Sequence, residues 1–302
     1  MIIDFTQGKF VDVLILGAGW TSKFILPCLE GKNITYAATS TTGRDNTLEF
    51  KFKYDADTAT NNTTSRTDLE QYTRLPYAKT VVITFPIIKP GASLYLIKTY
   101  LETHPGINAS SSLPQVLWIQ LGSSSIYRTI AGQELWIDRN SRFDYKSPRA
   151  NSEEELLSAG GCVLNLAGLW GLDRQPVNWI EKVAPTKEDL ARKGSLHLIH
   201  GEDVARAITA IHLKPQSATG QRFIITDLIV YDWWEIVLSS RSKLSAANEN
   251  SERFETYIQW VGELMEEFKV KALPRPKEQL GHCYDTRDFW NTFGIMPRHA
   301  GI

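Results

Sequence analysis

The stretch Val11-Asp-Val-Leu-Ile-Leu-Gly17-Ala-Gly19-Trp-Thr-Ser22-Lys23 decides the fold of this chain. It opens as an apolar run with strand character, breaks at two glycines, and continues with helical character. Strand, glycine turn and helix in that order read as the phosphate turn of a dinucleotide-binding βαβ unit. Gly17 would let the chain reverse tightly. Gly19 would let the backbone approach a pyrophosphate, whose charge the amides and dipole of the next helix receive. Ser22 stands where the fingerprint has its third glycine, a position that packs helix against strand and tolerates a small serine. Trp20 and Thr21 complete the turn and, with Ser22, are expected cofactor contacts. An ordinary glycine turn after a buried strand would need the same two glycines, so the rest of the chain has to decide.

Beyond the turn, strand-like runs alternate with amphipathic helical ones. Strands are expected at Val11 to Leu16, Ile34 to Thr39, Glu49 to Lys53, Thr80 to Phe85, Gln115 to Leu121, Cys162 to Ala167 and Arg222 to Thr226. Helices are expected at Thr21 to Glu30, Arg66 to Arg74, Ala92 to Thr103, Asn151 to Ala159 and Glu202 to Ile211. This alternation predicts an α/β protein, a Rossmann-type doubly wound parallel sheet. The polar stretches Asp55 to Ser65 and Gly106 to Pro114 read as loops. Past Gly171 the pattern loosens. Residues 1–172 are therefore expected to form the dinucleotide-binding core. Residues 173–302 are expected to form a smaller, mostly helical C-terminal cap, interleaved with a last core strand near 222–226. Trp233, Trp234, Trp260 and Trp290 suggest that this cap covers a ligand cleft, although aromatic residues at helical spacing more often build core.

Composition narrows the partners. A formal charge of −1 over 302 residues gives no basic face for nucleic acid or an anionic membrane, so a small-molecule substrate is the expected partner. No apolar run is long enough to span a bilayer. A first strand at about residue 11 leaves no room for a signal peptide, and Cys28, Cys162 and Cys283 form no pair motif. A cytoplasmic protein is expected, and a homodimer stays open. The scattered histidines suggest no metal site, because His282 beside Cys283 falls short of a zinc ligand set.

The second strand bears on the choice of dinucleotide. An NAD site usually places an Asp or Glu about 20 residues past the glycines, where it takes the ribose hydroxyls. Here that stretch is Ala37-Ala-Thr39-Ser40-Thr41-Thr-Gly43-Arg44, without an acid. A missing carboxylate and a nearby guanidinium suit a 2′-phosphate, so NADP(H) is expected, with Thr39, Ser40, Thr41 and Arg44 as contacts. A solvated loop arginine, partly neutralised by Asp45, is the plainer alternative.

These residues resemble the short-chain dehydrogenase/reductase superfamily, in particular its extended and atypical members related to epimerases and dehydratases. The resemblance spans roughly residues 11 to 230. It rests on Gly17-x-Gly19, on Gln120-Leu-Gly-Ser123-Ser-Ser-Ile-Tyr127, on Val163-Leu-Asn-Leu-Ala-Gly-Leu-Trp-Gly171 and on Leu198-Ile-His200-Gly-Glu-Asp203-Val-Ala205. It implies a serine at the end of the fifth strand that polarises the substrate oxygen, and a Tyr-x-x-x-Lys pair that moves the proton. Ser123 falls at the serine position, with Ser124 as a substitute. Tyr145-Lys-Ser-Pro-Arg149 falls where the pair belongs, with Arg149 in place of lysine. A phenol with an ordinary pKa near 10 needs a neighbouring positive charge to work at neutrality, and arginine keeps the charge but not the compact ammonium geometry. Pro148 disfavours helix at the residue before it, and a helix beginning there would leave Tyr145 outside. Three outcomes stay open: a working Tyr145–Arg149 dyad, a different reaction using Ser123 and the cofactor, and a lost dyad with the cofactor retained.

The resemblance implies an NADP(H)-dependent oxidoreductase acting on a carbonyl/alcohol group of a small organic molecule. The alternatives are an NADP(H)-binding sensor with a degenerate active site, and an epimerase or dehydratase that recycles its nicotinamide. In the family, His200 and Asp203 belong to the segment that opens a helix, a structural role. Arg174 lies where substrate-facing groups occur, or is a surface charge.

Overall fold

The computed structural model describes residues 10–55, 66–105, 115–127, 134–240 and 251–302. Seven strands form its central sheet: β1 Phe10–Leu16, β2 Tyr36–Ser40, β3 Leu48–Glu49, β4 Tyr77–Ile83, β5 Leu117–Ser123, β6 Cys162–Leu166 and β7 Arg222–Ile225. The order across the sheet is β7-β6-β5-β4-β1-β2-β3, with every pairing parallel. A parallel sheet needs cover on both faces, and the sequence supplies it through continuous apolar strands. On β1, Val13 and Ile15 face one layer while Leu14 and Leu16 face the other.

The helices fill those layers. One face packs α1 Ser22–Glu30, with Ile25 and Leu29, against residues such as Ile208 and Ile211 of a helix over 201–213. The other carries α2 Arg66–Thr73, α3 Ala92–Thr103 and α4 Pro148–Ser158, with Tyr72, Leu96, Tyr100 and Leu156 buried against the strands. The helix Gly201–Leu213 is α5. Six of the seven expected strands form, whereas the third, expected over Glu49 to Lys53, is reduced to Leu48–Glu49, and residues 50–53 leave the sheet. The expected loops lie almost wholly at 56–65 and 106–114, outside the described residues. The order reverses between β1 and β4, and in such sheets ligands bind at that switch point, beyond the carboxyl ends of the strands.

The C-terminal part forms a separate cluster in which Trp233 and Trp234 of α6 Trp233–Ser239 pack with Tyr257, Val261 and Leu264 of α7 Ser251–Glu267. Trp290 does not join it. On α8 Arg287–Phe293 it packs with Phe289 and Phe293 in the sheet's own core, and its indole N–H donates to the Thr226 carbonyl at 3.1 Å. Among the described residues, no helix is long and apolar enough to cross a membrane, and the three cysteines are free.

One buried acid ties the last residues to the end of β7. Tyr231 donates its hydroxyl proton to Asp227 at 2.5 Å and accepts the Gly301 N–H at 2.9 Å. Burial pushes the Asp227 carboxyl up to about 6, so the fold favours its protonated form. A raised folded-state pKa gives stability that is full below the unfolded value near 4 and lost as pH rises through 6. At about 1.4 kcal/mol per pKa unit, the contribution is on the order of 3 kcal/mol. Urea denaturation of the parent and Asp227→Asn between pH 4 and 7 is expected to show the parent losing stability relative to the variant. Parallel pH profiles would refute this assignment.

Candidate nucleotide-binding and active site

Gly17 ends β1 with φ at +100°, a left-handed backbone that favours glycine. Its N–H donates to Thr39 Oγ1 at 3.0 Å, and its carbonyl accepts from Thr84 Oγ1 at 2.6 Å. A Cβ there would stand 2.6 Å from Thr84 Oγ1 and 3.2 Å from the Phe85 ring. The protein's own packing therefore requires Gly17. Gly19 differs: it is exposed, and a Cβ would meet nothing within 4 Å. Packing does not call for glycine there, whereas a ligand lying against the backbone would. Ser22, 5% exposed, donates its hydroxyl to the Gly19 carbonyl at 2.5 Å and so holds the turn against the start of α1. Backbone amides at a helix start are natural anion donors, and Trp20 and Thr21, the N-cap, lead from Gly19 into α1.

Trp20 is clamped from above. Its indole N–H donates to Asp173 at 3.0 Å, and the Arg174 guanidinium lies 4.3 Å from its ring centroid. The clamp comes from a tight turn after β6, where Gly171 has φ +120° and Leu172 +50°, and where Gly171 and Arg174 exchange backbone hydrogen bonds at 2.9 and 3.0 Å. The turn's own backbone and the Trp20 indole hold the Asp173 carboxyl below its ordinary range. Arg174 is thus anchored at the mouth of the glycine turn, a placement its sequence position did not reveal.

At the end of β2 the candidate contacts divide. Thr39 is fully buried, with its hydroxyl on Gly17. Ser40 is also buried; its hydroxyl accepts the Arg44 N–H at 3.1 Å and lies 2.7 Å from Thr47 Oγ1. These two shape the edge of the site from within. Thr41 and Arg44 are exposed. A reversal with positive φ at Gly43, Asp45 and Asn46 carries Arg44 outward, where its side chain is 67% exposed and 3.8 Å from Asp45. An exposed pair of this kind is worth about 0–1 kcal/mol, so Asp45 holds Arg44 only loosely.

Ser123 is half-buried at the carboxyl end of β5, its hydroxyl donating to Ser125 Oγ at 2.9 Å. Ser124 is buried, and its carbonyl accepts from the Tyr284 hydroxyl at 3.0 Å. The Tyr145–Arg149 pair does not share a helix. Ser147 is extended and Pro148 is the first residue of α4, as expected for a residue before proline and for proline at a first helical position. Tyr145 therefore lies outside the helix, 67% exposed, with its ring 4.4 Å from that of Phe143, while Arg149 sits in the first helical turn. A dyad on one helical face is not built.

The sequence reading missed what lies beneath. One turn into α4, Glu153 is 2% exposed and accepts from Arg222 at 2.6 Å and from Asn165 at 2.9 Å. Burial pushes the Glu153 carboxyl up, and Arg222 and Asn165 pull it back. A Cβ at Gly122 would come within 2.4 Å of Glu153 Oε1, so the network reaches directly under Ser123. The run Glu153-Glu-Glu looks like a solvated helix face, and only the packing of α4 on the sheet reveals that its first member turns inward.

The sheet order, the glycine turn at its switch point and the smaller helical part define a Rossmann-type α/β protein. No protein-family model and no curated protein sequence matches the chain. Solved structures do. UDP-N-acetylglucosamine 4-epimerase from Bacillus cereus is 12% identical, with 96% of this chain and 94% of that chain covered and a TM-score of 0.56. A short-chain dehydrogenase/reductase superfamily protein from Agrobacterium tumefaciens with bound NAD is 10% identical, covering 97% and 93%, at a TM-score of 0.55. MoeE5 in complex with UDP-glucose and NAD is 15% identical, covering 96% and 94%, at 0.51. At such identities the likeness establishes the fold, which is that of the epimerase/dehydratase and short-chain dehydrogenase/reductase structures.

Proposed function

We propose that this chain is an NADP(H)-binding protein of the short-chain dehydrogenase/reductase type that acts on the carbonyl/alcohol group of a small organic molecule. The observation that carries the proposal is the contrast between Gly17, required by the protein's packing, and Gly19, which opens onto space beside the first amides of α1. Proteins of this fold support a nicotinamide dinucleotide in general: MoeE5 holds NAD and UDP-glucose, and the Agrobacterium protein holds NAD. A nicotinamide would supply hydride transfer. The protein's part is to receive the pyrophosphate at Gly19, Trp20 and Thr21, to place Arg44 and Thr41 by the adenosine ribose, and to hold the reacting oxygen at Ser123. Arg149, half-buried in the first turn of α4, would face the same edge with a positive charge.

Calorimetric titration with NADPH and NADH tests the cofactor. NADPH is expected to bind more tightly, and Arg44→Ala to weaken it by about 1–3 kcal/mol, the scale of a charge-assisted bond, while leaving NADH unchanged. Equal binding of both nucleotides would remove the 2′-phosphate assignment, and binding of neither would remove the whole reading.

The position of Tyr145 favours a second reading, a nucleotide sensor without turnover. A tyrosine outside the helix and 67% exposed is poorly placed for proton transfer. Tyr145→Phe separates the possibilities. Its NADPH affinity is expected to equal the parent's, and any turnover on a panel of small carbonyl compounds is expected to stay within a few-fold. A drop of orders of magnitude would show that Tyr145 is the acid/base after all.

A further inference from the structure

The first turn of α5 and the last residues of the chain bring together three side chains that the proposed function does not use. His200, Glu202 and His299 each offer a ligand atom, and these atoms all lie within 4.8 Å of one another. The meeting is enforced by the fold. Asp203, fully buried, accepts the backbone N–H groups of Arg298 and His299 at 2.9 Å each, which fixes the tail across the start of α5. The two imidazoles then pack with ring centroids 3.9 Å apart.

From this constellation we infer a binding site for a divalent transition-metal ion, with His200, Glu202 and His299 as its protein ligands and water completing the coordination. Two imidazoles and a carboxylate form a donor set of intermediate softness that suits Zn²⁺, Co²⁺ or Ni²⁺ better than Mg²⁺ or Ca²⁺, which prefer oxygen. His299 Nε2 and Glu202 Oε2 are 2.7 Å apart, a hydrogen bond whose place the ion would take. Nδ1 of His200 accepts the Glu202 N–H at 3.2 Å, the capping bond that holds the ring beside Glu202 at the start of α5.

The neighbouring charges set the affinity. Against a cation stand Arg298, 3.5 Å from Glu202 Oε1, and the positive end of α5. Arg206 is also near but is paired with Asp203. Arg298 is 66% exposed and can leave, which makes it the competitor the ion displaces. The ion would fasten the tail to α5 beside the glycine turn, because the His200 ring lies 5.3 Å from Phe24, whose ring lies 4.9 Å from Trp20.

The test is titration of the metal-free full chain with ZnCl₂ by calorimetry and with CoCl₂ by visible absorption. One equivalent is expected to bind at micromolar concentration, giving the intense visible bands of a low-symmetry cobalt site. Glu202→Gln and His299→Gln are each expected to weaken binding at least tenfold, and Arg298→Ala to tighten it several-fold. Thermal melts of each variant without metal establish that it is folded. Zn²⁺ is expected to raise the melting temperature of the parent but not of Glu202→Gln. Absence of a one-equivalent transition overturns the proposal, and so does binding that survives both ligand substitutions. NADPH binding plays no part in this readout, so failure of the nucleotide reading and failure of the metal site are seen separately.

Discussion

Replacing Gly19 by alanine is expected to leave the thermal midpoint of the protein unchanged and to weaken NADPH binding at least about tenfold, a loss of about 1.4 kcal/mol or more. The added methyl meets no protein atom within 4 Å, so folding has no reason to resist it. It would enter the space from which, in the proposed reading, a pyrophosphate approaches the start of α1, and separating anion from amide would remove charge-assisted bonds that side chains do not replace. Gly17→Ala is expected to behave in the opposite way. There φ is +100° and the new Cβ would press on Thr84 Oγ1 at 2.6 Å. A left-handed backbone at a residue with a Cβ costs about 1–2 kcal/mol, and overpacking adds about 1–3 kcal/mol. Differential scanning calorimetry beside nucleotide titration separates the pair. If Gly19→Ala destabilises the fold but binds NADPH normally, the open space at Gly19 is not the nucleotide site.

The largest stability loss is expected from Arg222→Met. Arg222 and Glu153 are 7% and 2% exposed, and their charges are compensated chiefly by each other within the network that includes Asn165 and the exposed Glu154. Removing one member of a buried pair costs about 3–5 kcal/mol, because the other keeps its desolvation penalty without a partner. With Arg222 gone, burial would push the Glu153 carboxyl further up, so the loss should shrink as pH falls and the carboxyl takes up a proton. The double variant Glu153→Gln with Arg222→Met is expected to recover much of the loss, since no buried charge remains. Urea denaturation of the four forms gives the coupling energy. Additive single losses would mean that the two residues act independently. Because Asn165 Nδ2 also donates to the Ser123 carbonyl at 3.3 Å, the same variant should disturb the end of β5 and any reaction held there.

Much of this was legible in the sequence because the information is local. A buried parallel strand must be apolar throughout, as Val11 to Leu16 is apart from Asp12, whose carboxylate finds Thr35 and Lys79 at the sheet's edge. The glycine turn, the alternation of strand and helix and the lack of an acid at the end of β2 are likewise properties of short windows. Pro148 carried its own warning: proline starts a helix well and bars the residue before it, so the helix begins at 148 and Tyr145 falls outside it.

The rest depended on residues far apart in the chain, which short-range pattern does not encode. Trp20 meets Asp173 across 153 positions, Glu153 meets Arg222 across 69, and His299 meets Glu202 across 97. A glutamate in an acidic run looks solvated until its helix is laid on the sheet, and a lone histidine looks incidental until the tail returns over α5. The sequence by itself determined the Rossmann layering and the position of the glycine turn, because backbone preference and hydrophobic period are set residue by residue. Only the tertiary structure decided which glycine the protein needs for itself, which serines and threonines turn inward, and which charges share a buried site, because those depend on what burial places opposite each group.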